Sequence, residues 1–269
     1  MPLYQELISS DPFFLIAGPC VIEDESTMLH TAEYLKGLCL RLGIPLVFKS
    51  SFTKANRSSV SSYSGPGLEG GLRLLGRIKQ DFELPILTDV HESQEIDAVA
   101  ELCEILQIPA FLSRQTALIQ AAAASGRIVN IKKGQFMAPE DMAGAAAKAE
   151  AIGNSKILLT ERGTSFGYHN LVVDFRAFEI MHRIGYPVVY DLTHSLQRPS
   201  SSSTTGGNPE YAPMMASAAM ATGRVKGLFI ECHPEPSRAK SDAATMLPLT
   251  ALEPILKRCK MLARIKEEE

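Results

Sequence analysis

The sequence predicts an α/β protein, a single (β/α)8 TIM barrel over residues 1–269, and three observations carry that prediction. Short, nearly continuous apolar runs of strand length alternate with helical segments about eight times along the chain. No interdomain linker interrupts the 269 residues, a length usual for one such barrel. Polar and ionisable residues close the apolar runs, at the strand carboxyl ends where parallel α/β folds build their sites. An open doubly wound sheet is the structural alternative, but no Gly-x-Gly-x-x-Gly turn follows the first strand.

Each element follows from its local pattern. After a short leader, FFLIAGP (Phe13 to Pro19) reads as a buried strand, and Thr27 to Leu42 as a helix ended by Gly43. Leu46 to Ser50 is the second strand; Leu68, Leu72, Leu75 and Ile78 then recur at helical spacing within Leu68 to Phe82. Pro85 to Val90 and Ile105 to Phe111 are strands three and four, with helices Ser93 to Cys103 and Gln115 to Ser125 behind them. Ile128 to Lys133 leads into an Ala-rich helix from Pro139, a residue suited to a first helical turn, to Ile152. Lys156 to Arg162 precedes a helix over Leu171 to Ile184, and Pro187 to His194 precedes a Ser/Thr/Gly-rich loop and a helix over Tyr211 to Thr222. Gly227 to His233 is the last strand; the closing helix, Leu247 to Ile265, puts Leu252, Ile255, Leu256, Cys259 and Leu262 on one face.

Composition narrows the function classes. Hydrophobic residues at 45% and charged residues at 21% are values of a globular chain with a sizeable core. A net charge of -3, with no basic helix and no aromatic platform, argues against nucleic acid and anionic membranes as partners. Neither a signal peptide nor a membrane-spanning run is visible, so the expected location is cytoplasmic. Five scattered cysteines fit reduced thiols better than a disulfide framework.

The strand ends then divide by chemistry. Lys49, Lys54, Arg57, Arg114, Lys132 and Arg162 would face one bowl, as a ligand carrying several anionic groups would require. KSSFTKANRSS, from Lys49 to Ser59, concentrates cations among hydroxyl and amide donors; a solvated basic loop, or cations paired with carboxylates such as Glu161 and Asp89, is the plainer alternative. Closing a barrel brings its first strand beside its last, so Cys20, His194 and Glu231 could meet, with Asp242 near enough to join them. A thiol, an imidazole and carboxylates suit zinc, ferrous iron, manganese or cobalt better than calcium or magnesium. Taken singly, Cys20 reads as a buried small hydrophobe and His194 as a hydrogen-bonded strand-end residue. His233 and Cys232 compete as ligands, although alternation turns Cys232 away from the face of Glu231.

Assembled, these segments resemble the 3-deoxy-D-manno-octulosonate 8-phosphate synthase family end to end. The resemblance is carried by KSSFTKANRSS with YSGPGLEGGL, ILTDVHE, LQIPAFLSRQT, VNIKKGQF, LLTERGTSFGYHNLVVD, VVYDLTHSLQ and GLFIECHPEP followed by AKSDAATMLPL. It implies a transferase, a homotetrameric barrel that condenses phosphoenolpyruvate with D-arabinose 5-phosphate and releases phosphate, in lipopolysaccharide (KDO) biosynthesis. Cys20, where another branch of the family carries asparagine, and SDAATMLP point to the metal-dependent branch. Gly134 departs from the family's usual proline, and the short leader implies a reduced N-terminal hairpin.

Carried over position by position, the resemblance implies that Lys132, Arg162, Arg114, Ser51 and the backbone at Ala110 hold phosphoenolpyruvate. Lys54, Asn56, Arg57, Ser58 and Asp89 would bind the sugar phosphate, with Arg57 and Ser58 reaching toward a neighbouring subunit. Lys49, His91 and Gln107 would line the reacting centre, and Cys20, His194, Glu231 and Asp242 would ligate a divalent metal. His194 or Asp242 would also relay a proton. The nearest rival is 3-deoxy-D-arabino-heptulosonate 7-phosphate synthase, against which KANRSS argues; a non-catalytic phosphometabolite-binding barrel is the alternative from another class.

Overall fold

The computed structural model describes residues 1–56, 62–199 and 206–265. Eight parallel strands close on themselves: β1 (Phe14–Gly18), β2 (Leu46–Lys49), β3 (Ile86–Asp89), β4 (Ile105–Ile108), β5 (Ile128–Lys132), β6 (Ile157–Glu161), β9 (Val188–Asp191) and β12 (Val225–His233). Pairing of Phe14 with Gly227 through Gly18 with Glu231 seals the ring. Helices α2 (Glu25–Leu42), α3 (Gly67–Phe82), α4 (Ile96–Leu102), α5 (Thr116–Ala124), α6 (Met142–Glu150), α7 (Arg176–His182), α8 (Ala212–Ala221) and α9 (Leu249–Leu262) each follow a strand. The expected (β/α)8 barrel is the observed one. Among the described residues no helix is long and apolar enough to cross a membrane.

Strand alternation sorts the core into two shells. Outward residues such as Leu15, Phe48, Ile86, Leu106, Tyr190 and Cys232 join the helices in a large outer core. Inward residues Phe14, Ile16, Val47, Leu87, Ile105, Ile128, Leu158, Val189 and Phe229 form a separate floor. The helix spacing read from sequence holds: Leu75 and Ile78 of α3, and Leu252, Ile255, Leu256 and Cys259 of α9, are all buried. Helix α2 starts where Asp24 accepts from the Thr27 N–H at 2.9 Å and stops at Gly43 in the left-handed region, φ 61°.

Four features differ from the expectation. The leader is a helix, α1 (Leu3–Ser9), which inserts the fully buried Leu7 into the barrel floor; no hairpin forms there. The helix expected over 171–184 is shorter, because Thr164–Gly167 (β7) and Asn170–Val172 (β8) form an antiparallel hairpin before α7. Gly163 and Gly167, at φ 92° and 99°, let the chain turn there, and Leu171 and Val172, read as the start of that helix, belong to β8. The loop after β9 carries a second small hairpin, Gln197–Arg198 (β10) against Gly206–Gly207 (β11). A short strand, Leu247–Pro248 (β13), pairs with Cys232 and His233 before α9.

Candidate active site

The same alternation that builds the floor builds the mouth. Two residues beyond a floor residue, the inward face turns polar: Lys49 after Val47, Asp89 after Leu87, Gln107 after Ile105, Asn130 after Ile128, Thr160 after Leu158, Asp191 after Val189, Glu231 after Phe229. A cavity at this end is lined by Lys49, Lys54, Asn56, Asp89, His91, Gln107, Ala110, Lys132, Arg162 and His194, together with Ala55, Pro109, Phe111 and Leu112. Ser51 lies just behind it, fully buried and bonded to Asp89. Arg114 is exposed outside the lining, its carbonyl accepting from Lys148 at 2.6 Å. Arg57 and Ser58 lie outside the described residues.

One side of the mouth is a directional hydrogen-bond chain. Thr160 Oγ1 donates to Asn130 at 2.6 Å, and Asn130 Nδ2 to Gln107 at 2.8 Å. Gln107 Nε2 then donates to Asp89, whose other oxygen accepts from Ser51. Burial alone would raise the Asp89 carboxyl, but Lys54 and Lys49, with smaller help from His91 and Lys132, hold it well below its usual range.

Three cations of the bowl are paired. Lys49 Nζ stands 2.5 Å from Glu231 Oε1, Lys54 Nζ 3.6 Å from Asp89 Oδ2, and Lys132 Nζ 2.5 Å from Asp191 Oδ2. The paired-cation alternative therefore describes Lys49, Lys54 and Lys132, while Glu161 pairs outward with Lys133 at 3.6 Å. Arg162 is different. It donates through Nη2 to Gln197 at 2.9 Å, but its buried Nη1 has no hydrogen-bond partner among the described residues, as a donor awaiting an anion would not. Burial pulls the Lys132 ammonium below its usual value despite Asp191.

Across the bowl, ligand atoms of Cys20, Glu231 and Asp242 all lie within 4.8 Å of one another. Cys20 Sγ is 3.1 Å from Asp242 Oδ2 and 3.0 Å from Ser241 Oγ. His194 stands beside this trio, its Nε2 3.6 Å from Glu231 Oε2 and 3.8 Å from Asp242 Oδ2, and its Nδ1 2.8 Å from Asp191. A Cβ at Gly18 would sit 2.1 Å from the Lys49 carbonyl, so glycine there lets β1 approach β2 closely; Lys49 Nζ then reaches the Cys20 carbonyl at 2.9 Å. Burial, then Asp242 and Glu231, push the Cys20 thiol well above its usual value. Glu231 Oε2 is buried without a hydrogen-bond partner among the described residues. A protonated thiol facing two carboxylates, one with an orphaned oxygen, fits a divalent cation that would ionise the first and satisfy the second.

Two site neighbours escaped the sequence reading. Phe229 holds Lys132 Nζ 4.0 Å and Lys49 Nζ 5.4 Å from its ring centroid; its place two residues before Glu231 was the available signal. Lys133, fully buried, donates to Thr164 at 2.8 Å and to the Met137 carbonyl at 3.2 Å, tying the β5 loop to the β7–β8 hairpin behind Arg162. At Gly134, a Cβ would come within 2.9 Å of the Phe136 ring, which occupies the space this glycine leaves.

Fold and mouth together define an enzyme of the (β/α)8-barrel class. The family model described as the DAHP synthetase I family matches residues 7–267, and the chain belongs to that family. Among its curated relatives, 2-dehydro-3-deoxyphosphooctonate aldolase of Magnetococcus marinus is 54% identical over 258 residues, 96% of this chain and 90% of that one. The protein of the same name from Dichelobacter nodosus is 53% identical over 252 residues, 93% and 91% of the two chains. That of Protochlamydia amoebophila is 50% identical over 260 residues, 96% and 94%.

Proposed function

We propose that this chain is a 2-dehydro-3-deoxyphosphooctonate aldolase, the transferase also called 3-deoxy-D-manno-octulosonate 8-phosphate synthase. It joins phosphoenolpyruvate to D-arabinose 5-phosphate and water and releases inorganic phosphate. The observation that carries this reading is the agreement of end-to-end relatives bearing that one name with a polar barrel mouth that includes a buried Arg162 Nη1 without a partner among the described residues. The heptulosonate reading, although it shares its name with the family model, has no such support among these relatives.

Arg162 and Lys132 are suited to hold the anionic groups of phosphoenolpyruvate, with Ser51, Ala110 and Arg114 assigned to it by family resemblance. Lys54, Asn56, Arg57, Ser58 and Asp89 take the sugar phosphate in the same way. Two anionic substrates repel each other, and the fixed cations offset that repulsion while aligning enol and aldehyde. The methylene carbon of the enol bonds to the aldehyde carbon, the former carbonyl oxygen gaining a proton. Water adds at the resulting cationic carbon, losing a proton, and the carbon–oxygen bond to phosphate breaks. Lys49, His91 and Gln107 line the reacting centre; Asp242 or His194 accepts the proton from water.

Cys20, His194, Glu231 and Asp242 would hold a divalent ion of the zinc, ferrous iron, manganese or cobalt kind, which would supply Lewis acidity. We place the enzyme in the cytoplasm as a homotetramer. Exposed Phe111, Phe136, Phe166 and Tyr168, which follow the ends of β4, β5 and β6, support subunit contacts near the mouth. Sedimentation at micromolar protein tests the assembly. A phosphate-release assay comparing arabinose 5-phosphate with erythrose 4-phosphate tests the reaction: preference for erythrose would overturn the octulosonate assignment, and release with neither would favour the binding module.

A further inference from the structure

His233 is buried at 4% exposure on the strand that carries Glu231, yet it takes no part in the candidate cation cluster. Its Nδ1 accepts from the Glu235 N–H at 2.9 Å, so in the neutral ring the proton sits on Nε2. Among the described residues that Nε2 has no hydrogen-bond partner, and it lies 3.6 Å from Glu23 Oε2, with both side chains nearly solvent-free. The other oxygen of the same carboxylate, Glu23 Oε1, accepts from the backbone N–H of Lys240 at 2.9 Å. Glu23 thus bridges β12 and the loop that leaves it.

That loop ends in an unusual backbone. It departs after His233 and returns at Leu247, where β13 pairs beside the end of β12. Within it Asp242 adopts φ 48°, a left-handed conformation disfavoured for side chains other than glycine and, less so, Asn and Asp, and it is held there by its surroundings. On the far side the hold is local: Thr245 and Met246 N–H donate to the Asp242 carbonyl at 3.0 and 3.1 Å. On the near side it comes through Lys240, whose N–H is on Glu23 and whose ammonium lies 4.6 Å from the Tyr63 ring centroid. Tyr63 in turn donates to the Ile22 carbonyl at 3.0 Å.

We propose that Glu23 is a positioning residue: packed beside His233, its carboxylate grips the Lys240 backbone N–H and so sets the distance between Asp242 and Cys20. Cys20 and Glu23 leave β1 on one short segment, so the part of the chain that supplies the thiol also holds the loop that supplies the facing carboxylate. The 3.1 Å approach of Cys20 Sγ to Asp242 Oδ2 is the dimension this grip controls. The consequence for cation affinity rests on the metal-dependent reading given above; the grip on the loop does not.

The test uses the full-length protein and Glu23→Ala and Glu23→Gln variants, with two readouts. Hydrogen exchange over residues 240–246 reads the grip, the rest of the barrel serving as the folding control. Cobalt(II) titration, followed by the thiolate-to-cobalt absorption band and by chelator competition, reads the Cys20–Asp242 site. Glu23→Ala is expected to speed exchange over 240–246 while the barrel strands stay protected, and to weaken cobalt binding about 10- to 100-fold. Glu23→Gln, which retains an oxygen for Lys240 but opposes a second donor to His233, is expected to fall between. Unchanged exchange at 240–246, or faster exchange with wild-type cobalt affinity, overturns the proposal. If the wild-type protein binds no cobalt, the metal reading fails instead; Glu23 is then judged by exchange and by whether kcat falls with both substrate KM values unchanged.

Discussion

Replacing Lys132 by alanine separates the two jobs of one buried ammonium. Its Nζ stands 2.5 Å from Asp191 Oδ2 and 4.0 Å above the Phe229 ring centroid, and Asp191 is fully buried. Breaking a buried ion pair costs about 3–5 kcal/mol; because His194 Nδ1 remains 2.8 Å from Asp191, the lower figure applies. At about 2–4 °C per kcal/mol for a chain of this size, Tm should fall by roughly 6–12 °C, leaving a folded protein at 25 °C. Catalysis should suffer separately. A charge-assisted hydrogen bond to a substrate anion is worth about 1.5–3 kcal/mol, and each ~1.4 kcal/mol is tenfold, so kcat/KM should drop by about ten- to a hundredfold. Phosphate release with phosphoenolpyruvate and arabinose 5-phosphate, run beside a thermal melt, measures both. Lys132→Met, which keeps the stem over Phe229, should recover part of the Tm and none of the turnover. A folded Lys132→Ala enzyme within about threefold of wild type would refute the assignment of this cation to substrate.

Other perturbations follow from the same geometry. Asp89, Asp191 and Glu231 are all held below the ordinary carboxylate range, so the unfolded chain takes up protons first as pH falls. Their stabilising contribution is therefore complete above about pH 5 and is lost progressively below about pH 4.5. The urea midpoint should fall between pH 6 and pH 3.5, and a midpoint that holds or rises would contradict these pairings. Exhaustive chelation should abolish condensation and add-back of manganese or cobalt restore it, with Cys20→Asn losing metal retention; a stripped enzyme at full rate would remove Cys20 from the ligand set. Leu7→Ala, which hollows the floor far from the mouth, should cost about 2–5 kcal/mol in chemical denaturation with kcat/KM nearly intact. A large loss of activity without loss of stability would show that α1 serves the mouth instead.

The barrel was legible because its strands are nearly unbroken apolar runs and its helices keep their periodicity, as at Leu75 and Ile78. What escaped lacks such signals. The Thr164–Gly167 and Asn170–Val172 hairpin has a mostly exposed surface, and α1 is one short segment whose burial depends on a floor built by residues far along the chain. At the mouth, strand ends told which polar residues would gather there: Asp89, Gln107, Lys132, Arg162 and His194 share one cavity. They did not tell who pairs with whom. Whether Lys49 is free or faces Glu231 is decided by barrel closure, and the role of Lys133 by a loop tens of residues away.

Phe229 marks the frontier between those two regions. Its ring belongs to the apolar floor, yet two ammonium groups rest against it, and its centroid is 5.9 Å from that of His194. Volume and charge are therefore coupled at a single side chain: a change of packing below is transmitted upward as a displacement of Lys49, Lys132 and His194. A substitution such as Phe229→Leu would look conservative by hydrophobicity, but it would remove the polarisable deck on which the reactive cations are levelled. The effect of mutations in this barrel's interior should thus be graded by height, felt as lost stability near Leu7 and as lost activity one layer higher.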